Sequence, residues 1–150
     1  MHDAALADLE QTLYREMPIC RAMAIRPTAW DGRQLSMQMP LEPNRNHQYS
    51  AFAGSLNALC TISGWGLVFL KVREEGLAGN IVIRRSQIRY FRPVRSPNIA
   101  AETLPLDAEA EQYFFELLRS KGTSKIDVAS QIADAEGPLV SFAGSYVIQG

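Results

Sequence analysis

Cysteine and histidine are scarce in this chain, with two of each in 150 residues. Cys20 and Cys60 are too few for the disulfide framework of a small secreted domain, and they lack the CxxC spacing of a zinc site. His2 and His47 alone leave almost no set of metal ligands. We therefore expect no metal and no cofactor, and a reducing, cytoplasmic location.

An excess of charge of one sign is also missing. Fifteen Lys and Arg residues stand against sixteen Asp and Glu residues, which gives a net charge of −1. Such a balance provides no basic field over the whole chain for nucleic acid, so we expect no nucleic-acid partner. The first residues are acidic, and they lack the basic and then apolar order of a signal peptide.

A uniform apolar run of membrane-spanning length is absent as well. The longest mostly apolar stretch, residues 51–72, is interrupted by glycines and small polar residues. This pattern favours a buried helix over a membrane span. With 47% apolar residues and the length of one ordinary domain, residues 1–150 are expected to form a single globular unit.

The hydrophobic pattern predicts one long helix and several strands. Leu6, Leu9, Leu13 and Met17 mark a short N-terminal helix with Asp3 as its cap. Asp31-Gly32 predicts a hairpin between the arms 20–30 and 33–41. A polar loop, residues 43–50, leads into a long apolar helix over residues 52–75. In that helix Gly64 and Gly66 suggest that another backbone comes close.

The C-terminal half of the sequence reads mainly as strands. Residues 80–94 and 99–104 predict two strands, and Asp107 and Gly122 bound a short helix. Alternating residues on both sides of Glu136-Gly137-Pro138 predict a final hairpin. The order favours an α+β fold in which one antiparallel sheet of about six strands curls around the long helix. The short helix falls between strands four and five.

Three blocks carry a family resemblance. They are residues 46–56 (NHQYSAFAGSL), residues 63–67 (SGWGL) and residues 87–94 (QIRYFRPV). In this order and spacing they resemble thioesterase domains of the YiiD C-terminal type, which have the hot-dog fold. The resemblance implies a homodimer, with a tetramer of two dimers as a further option, that acts on thioesters of coenzyme A or acyl carrier protein.

The start of the long helix is the first candidate for chemistry. The unpaired N–H groups and positive dipole end of a helix polarise a carbonyl. Gly54 would let a ligand approach these groups, with Phe52 and Ser55 as substrate contacts. The alternative is that these small residues only permit tight helix packing.

Two residues of the preceding loop suit a role in water attack. A histidine side chain such as that of His47 can orient or deprotonate a water, and Asn46 can bind a carbonyl or a water. An ordinary surface role for His47 is the alternative.

The long helix departs from many hot-dog thioesterases, because no acid follows Gly54 before Glu74. Asn57 could contact substrate and Thr61 could position the water, unless Thr61 only satisfies a backbone carbonyl. Cys60 is a poor nucleophile candidate, since free cysteines are usually buried and inert.

Basic residues concentrate between positions 71 and 95. Seven Lys and Arg residues there face two Glu residues. Arg84, Arg89 and Arg92 are the candidates for binding coenzyme A phosphates or an acidic carrier protein. The alternative is a solvated strand face whose arginines pair with nearby glutamates.

These features predict an acyl-CoA or acyl carrier protein thioesterase in which water attacks a carbonyl held at the helix start. A non-catalytic module that binds the same thioesters is the alternative, and the missing helix acid favours it. A dehydratase or hydratase of the same fold is less expected, because such sites pair His with Asp or Glu.

Overall fold

The computed structural model describes residues 2–150, which form four helices and one six-stranded sheet. The helices are α1 (Asp3–Glu16), α2 (Ile19–Ala22), α3 (Ala53–Glu74) and α4 (Ala108–Lys121), and a 3-10 turn spans Glu42–Asn44. The strands are β1 (Arg26–Trp30), β2 (Leu35–Pro40), β3 (Asn80–Tyr90), β4 (Asn98–Thr103), β5 (Thr123–Asp134) and β6 (Gly137–Gln149).

The sheet has the strand order β1-β2-β4-β5-β6-β3, and every neighbouring pair is antiparallel. It curls around α3, which packs against five of the six strands. The predicted α+β arrangement, a curled sheet around one long helix, is confirmed. By length and mean hydropathy α3 matches a membrane span, but most of it lies inside the sheet as a core helix.

The side of α3 that faces the sheet is closely packed. The Tyr146 hydroxyl donates to the Thr61 carbonyl at 2.7 Å. A methyl group added at Gly64 would overlap that hydroxyl, and one added at Gly66 would lie 2.8 Å from Leu35. The expectation that these glycines admit another backbone is therefore wrong, because their neighbours are side chains.

The pairing in the sheet is shortest between β4 and β5, which share two residue pairs. Helix α4 packs against β5 and is joined to α3 by the Lys71–Glu111 ion pair at 3.3 Å. Asp107 caps α4 by accepting from the Ala110 amide at 3.0 Å. Gly122 ends it with φ of 74°, a conformation that glycine adopts readily. Both predicted boundaries of this helix are confirmed.

The N-terminal region differs from the sequence prediction in two places. Asp3 lies inside α1 rather than at its cap. The predicted first hairpin arm includes the short helix α2, and β1 begins only at Arg26. Pro18 stands immediately before α2, where its fixed φ and missing N–H fit a helix start. The hairpin itself is confirmed, with Asp31 accepting from the amides of Arg33 and Gln34.

The two edges of the sheet are covered differently. Helix α1 packs against β1 and against α3. No element of the described chain pairs with the outer edge of β3, whose Val82 side chain is 57% exposed. The gap between α1 and β3, called the seam below, leaves one side of α3 incompletely covered. Asn57, Thr61 and Trp65 are half-buried along this open side.

Candidate active site

The start of α3 carries free backbone donors. Phe52 precedes the helix in an extended conformation and offers no side-chain cap. The amides of Ser55 and Leu56 donate to the Phe52 carbonyl at 3.0 and 3.1 Å. Within residues 2–150, no acceptor is found for the amides of Ala53 and Gly54. These two N–H groups lie at the positive end of a 22-residue helix, where a partial negative charge is stabilised.

Aromatic side chains surround this helix start. The Phe52 ring lies over Gly54, so close that a Cβ at Gly54 would collide with it. The Tyr90 hydroxyl donates to the Ala53 carbonyl at 3.2 Å, which brings the end of β3 to the helix start. The absent side chain of Gly54 therefore accommodates a ring of the protein itself. Four exposed aromatic residues of the loop before α3 and of the end of β3 are named the aromatic rim: Tyr49, Phe52, Tyr90 and Phe91.

Asn44 fixes the loop that leads into α3. Its side chain is buried and donates to the carbonyls of Met23 and Pro40 at 2.9 and 2.8 Å. Its own carbonyl accepts from the Phe52 amide at 2.7 Å. Asn44 thus sets where the helix begins. The sequence alone does not predict this role, since nothing in it distinguishes Asn44 from Asn46 two residues later.

Asn46 organises the turn that follows. Its Oδ1 accepts from the amides of Gln48 and Ser50 at 2.8 and 3.2 Å, and its Nδ2 donates to Ser50 Oγ at 2.9 Å. Tyr49 in the same turn has φ of 62°. The Asn46 side chain is therefore engaged within its own loop in this structure.

His47 lies in this turn and is exposed. No hydrogen bond joins its ring to another residue in the part of the chain that the structure describes. The ring is consequently free to contact a substrate, a water or a second protomer. The fold supplies the rigid turn beneath it, held by Asn46.

The open side of α3 carries a polar pair one helical turn apart. Thr61 Oγ1 donates to Asn57 Oδ1 at 3.1 Å, and both side chains are half-buried. Ser55, the third residue of the helix, is buried. The predicted candidates Asn57 and Thr61 thus contact each other, whereas Asn46 lies in a separate hydrogen-bonded turn.

Cys60 lies on the closed side of α3 and is fully buried. Burial raises the pKa of its thiol to about 12. Because the thiolate is the nucleophilic form, this cysteine is inert at neutral pH. The sequence-based interpretation of Cys60 as a packing residue agrees with this environment.

The basic candidates fall into two groups. Arg84 and Arg89 are exposed on β3 and form no ion pair with any residue between 2 and 150. Arg92 instead donates to Asp134 at 2.9 Å and to Glu136 at 3.3 Å, and this pairing lowers the pKa of the Asp134 carboxyl. Arg92 is thus neutralised, while Arg84 and Arg89 remain available to an anion.

A cleft of about 750 Å³ opens in the seam beyond the polar pair. Trp65 and Phe69 stack at 5.3 Å on its α3 wall, and the Trp65 Nε1 donates to the Ile81 carbonyl of β3 at 3.1 Å. Trp65 and Phe69 are four residues apart on one face of α3; Phe69 is buried and Trp65 is half-buried. No group of three potential metal ligands occurs anywhere in residues 2–150.

The comparisons with known proteins agree with this architecture. A family model described as "Putative thioesterase (yiiD_Cterm)" matches residues 6–150. A Chlorobaculum tepidum protein of unknown function is 31% identical, with 98% of this chain and 99% of that chain covered and a TM-score of 0.90. A protein from Shewanella oneidensis, described as a putative thioesterase, is 29% identical over 99% of each chain with a TM-score of 0.89.

A more distant match shares the fold alone. The PaaI protein of Escherichia coli, from the phenylacetic acid degradation operon, is 14% identical and has a TM-score of 0.70. It covers 100% of this chain and 97% of its own. The predicted hot-dog fold is confirmed by these matches together with the sheet and helix described above.

Proposed function

Because the chain belongs to the YiiD_C family of putative thioesterases, we propose that it hydrolyses the thioester of an acyl-CoA or an acyl carrier protein. The observation that carries the proposal is the pair of free amides at the start of α3, which follows a turn that carries an exposed histidine. Both free cysteines fit a reducing cytoplasm, where we expect the reaction to occur.

The proposal includes a homodimer formed through β3. An uncovered strand of eleven residues presents unpaired backbone groups that need a partner. If two copies of β3 pair antiparallel about a two-fold axis, the Tyr90 end of one strand lies opposite the Asn80 end of the other. Since Tyr90 contacts the start of α3, each helix start then faces the seam of the partner. Two such dimers pairing into a tetramer are compatible with this arrangement.

The helix start supplies electrostatic stabilisation in this mechanism. The thioester carbonyl oxygen accepts from the free amides of Ala53 and Gly54. When water attacks the carbonyl carbon, negative charge develops on that oxygen, and preorganised donors stabilise this charge. The Phe52 ring must sit beside the bound thioester, because it lies over Gly54.

His47 is the proposed base. Its ring takes a proton from the attacking water as the new C–O bond forms. The C–S bond of the tetrahedral intermediate then breaks, and the proton passes from His47 to the leaving thiolate. The products are a carboxylic acid and a free thiol, and no covalent acyl-enzyme forms. Thr61 and Asn57 of the facing helix hold the water in position.

A binding module without catalysis is the second candidate. The favouring observation is that α3 has no carboxylate between Gly54 and Glu74, so His47 lacks an acidic partner on that helix. Such a module would retain the helix start and the cations of β3 but release no thiol.

A thiol-release assay over acetyl-, butyryl-, octanoyl- and palmitoyl-CoA, run beside direct binding of the same compounds, separates the two candidates. Turnover supports the hydrolase, and binding without thiol release supports the module. His47→Ala is expected to lower kcat by roughly 100-fold or more, since general-base catalysis typically contributes about 10²–10⁴-fold. His2→Ala is the matched control and should leave kcat within about twofold, below the 1.4 kcal/mol of a tenfold change.

A further inference from the structure

A β-bulge in β3 brings two arginines together on the outer face of the sheet, which is the face turned away from α3. The pairing of β3 with β6 shifts by one residue between Ile83 and Arg85, so Arg84 is an extra residue in the strand. Such a bulge interrupts the alternation of side chains and redirects one of them. Both arginines consequently line the same small cavity, together with Lys125 of β5 and Ser145 of β6.

The contacts of neighbouring residues show on which face of the sheet this cavity lies. Tyr146 points toward α3, where its hydroxyl donates to the Thr61 carbonyl. Adjacent residues of a strand point to opposite faces, so Ser145 and its cross-strand partner Arg85 lie on the outer face. Tyr90, which contacts the start of α3, points to the inner face. The sheet therefore separates the cavity from the free amides of the helix start.

Positive charge dominates the cavity, which has a volume of about 80 Å³. Arg84, Arg85 and Lys125 are exposed, and none of them forms an ion pair with another residue of the described chain, 2–150. Asp127 lies beside Ser145 on β5, and its carboxylate accepts from the buried Ser145 hydroxyl rather than from a cation. Three unpaired cations around one small cavity form a site for an anion.

We propose that this cavity binds a phosphate dianion, either inorganic phosphate or the end group of a small phosphate monoester. A phosphate monoester carries about −1.5 to −2 charges at pH 7 and offers three acceptor oxygens, which suit three cationic donors. Guanidinium groups bind such oxygens through two parallel N–H groups. Arg84 then belongs to this phosphate, whereas Arg89, nearer the Tyr90 end of β3, remains the candidate for the coenzyme A phosphates. Binding at the bulge requires no thioester chemistry.

Equilibrium dialysis with labelled inorganic phosphate tests the site directly, in about 0.15 M chloride so that long-range attraction is screened. Arg85→Gln should weaken phosphate binding at least about tenfold, or 1.4 kcal/mol. Arg33→Gln, the same change at an exposed arginine of the β1–β2 turn, is the matched control and should leave phosphate binding unchanged. Absence of saturable binding in the wild type, or equal losses in both variants, would overturn the proposal.

A second variant should change the phosphate affinity in the opposite direction. Asp127→Asn keeps an oxygen that accepts from the Ser145 hydroxyl but removes the negative charge beside the cavity. Phosphate binding should tighten several-fold, because the repulsion between the carboxylate and the bound anion is lost. A partly unfolded variant would not bind phosphate more tightly, so the gain is specific to the site. Unchanged or weaker binding by Asp127→Asn would contradict the proposal.

Two further measurements identify the source of the phosphate. Displacement of the label by glycerol phosphate identifies a monoester ligand, and failure to displace it identifies free phosphate. Arg85→Gln should leave KM for octanoyl-CoA within about twofold, well below the 1.4 kcal/mol of a tenfold change. A tenfold rise that is absent with octanoyl-dephospho-CoA would place the substrate's own phosphate in the cavity, and a separate site would be wrong. If the wild type binds phosphate but releases no thiol, the proposed hydrolysis fails and the phosphate site stands.

Discussion

The two sides of α3 differ in how completely the fold covers them. On the closed side, Gly64, Gly66 and Cys60 pack against the sheet with no room for an added methyl group at either glycine. On the open side, Asn57 and Thr61 are half-buried, and within residues 2–150 their side chains hydrogen-bond only to each other. One face of α3 is therefore fully packed in the core, whereas the face along the seam is only partly covered.

This contrast separates stability from function along a single helix. Close packing on the closed side fixes the position of α3 in the sheet, and thereby the position of its free amides. The open side contributes less to the core and keeps polar groups and an aromatic cleft accessible. Substitutions on the closed side should change the free energy of unfolding, whereas those along the seam should change assembly and turnover.

The largest effect is expected from blocking the uncovered edge. Val82→Asp places a charge at the exposed edge of β3, where strand pairing would bury it opposite an uncharged position of the partner strand. An unpaired charge at a strand edge opposes edge-to-edge pairing, so the variant should dissociate the dimer and lower thiol release by roughly 100-fold. Ala29→Asp makes the matched change at the other edge of the sheet, beside α1, and should leave the dimer mass and the rate of thiol release unchanged. Light scattering measures the mass of both variants, and the thiol assay measures their activity. A fully active monomeric Val82→Asp would contradict the proposed β3 interface.

A substantial effect on the closed side should come from Gly64→Ala. The added methyl overlaps the Tyr146 hydroxyl, and overpacking of this kind costs about 1–3 kcal/mol of unfolding free energy. Tyr146→Phe removes that hydroxyl, so the double variant should lose less stability than the two single losses added together. Urea denaturation measures all three variants, and strict additivity would contradict the described contact.

A smaller effect, on KM, should distinguish Arg89 of β3 from Arg92, which follows the strand. Arg89→Ala should raise KM for acyl-CoA several-fold with little change in kcat, the pattern of lost uniform binding. Arg92→Ala should leave KM unchanged, because Asp134 and Glu136 already neutralise that guanidinium. The difference in KM between the two variants should decrease with added salt, because salt screens the attraction between Arg89 and the phosphates. A matching rise in KM for Arg92→Ala would mean that Arg92 also contacts the substrate.

The smallest effect is confined to alkaline solution. Burial raises the pKa of the Cys60 thiol from its ordinary 9.0 to about 12, so the unfolded chain ionises first as the pH rises. The contribution of the buried Cys60 thiol to the free energy of unfolding is complete below pH 9 and is lost as the pH approaches 12. Cys60→Ala should flatten the fall in unfolding free energy over this interval. An unchanged slope would contradict the buried thiol.

The sequence predicted the large elements because their signals are local. The apolar run of α3, the Asp31-Gly32 hairpin and the caps of α4 each depend on neighbouring residues, and all three are confirmed. The neighbours of Gly64 could not be predicted, since Tyr146 is remote in sequence and only the curl of the sheet brings them together. The sequence pattern does not predict the short helix α2, because residues 19–22 are too few to show a helical period.

The candidate site was predicted less completely. The helix start and His47 follow from local pattern and family resemblance. The hydrogen bonds of Asn46 within its turn, the anchoring by Asn44 and the pairing of Arg92 depend on contacts that no spacing reveals. Trp65 and Phe69 have the spacing of core residues; Phe69 is buried as that spacing predicts, and the gap between α1 and β3 leaves Trp65 half-buried.

Subunit complementation tests the central claim most directly, namely that the helix start of one protomer and the open side of α3 in its partner form one site. His47→Ala removes the base, and Thr61→Phe fills the open side. Mixed after dissociation and reassembly, the two variants should recover up to about a quarter of wild-type thiol release, since half of the dimers are mixed and each carries one intact site. Recovery no greater than the sum of the separate variants would mean that both residues act within a single protomer.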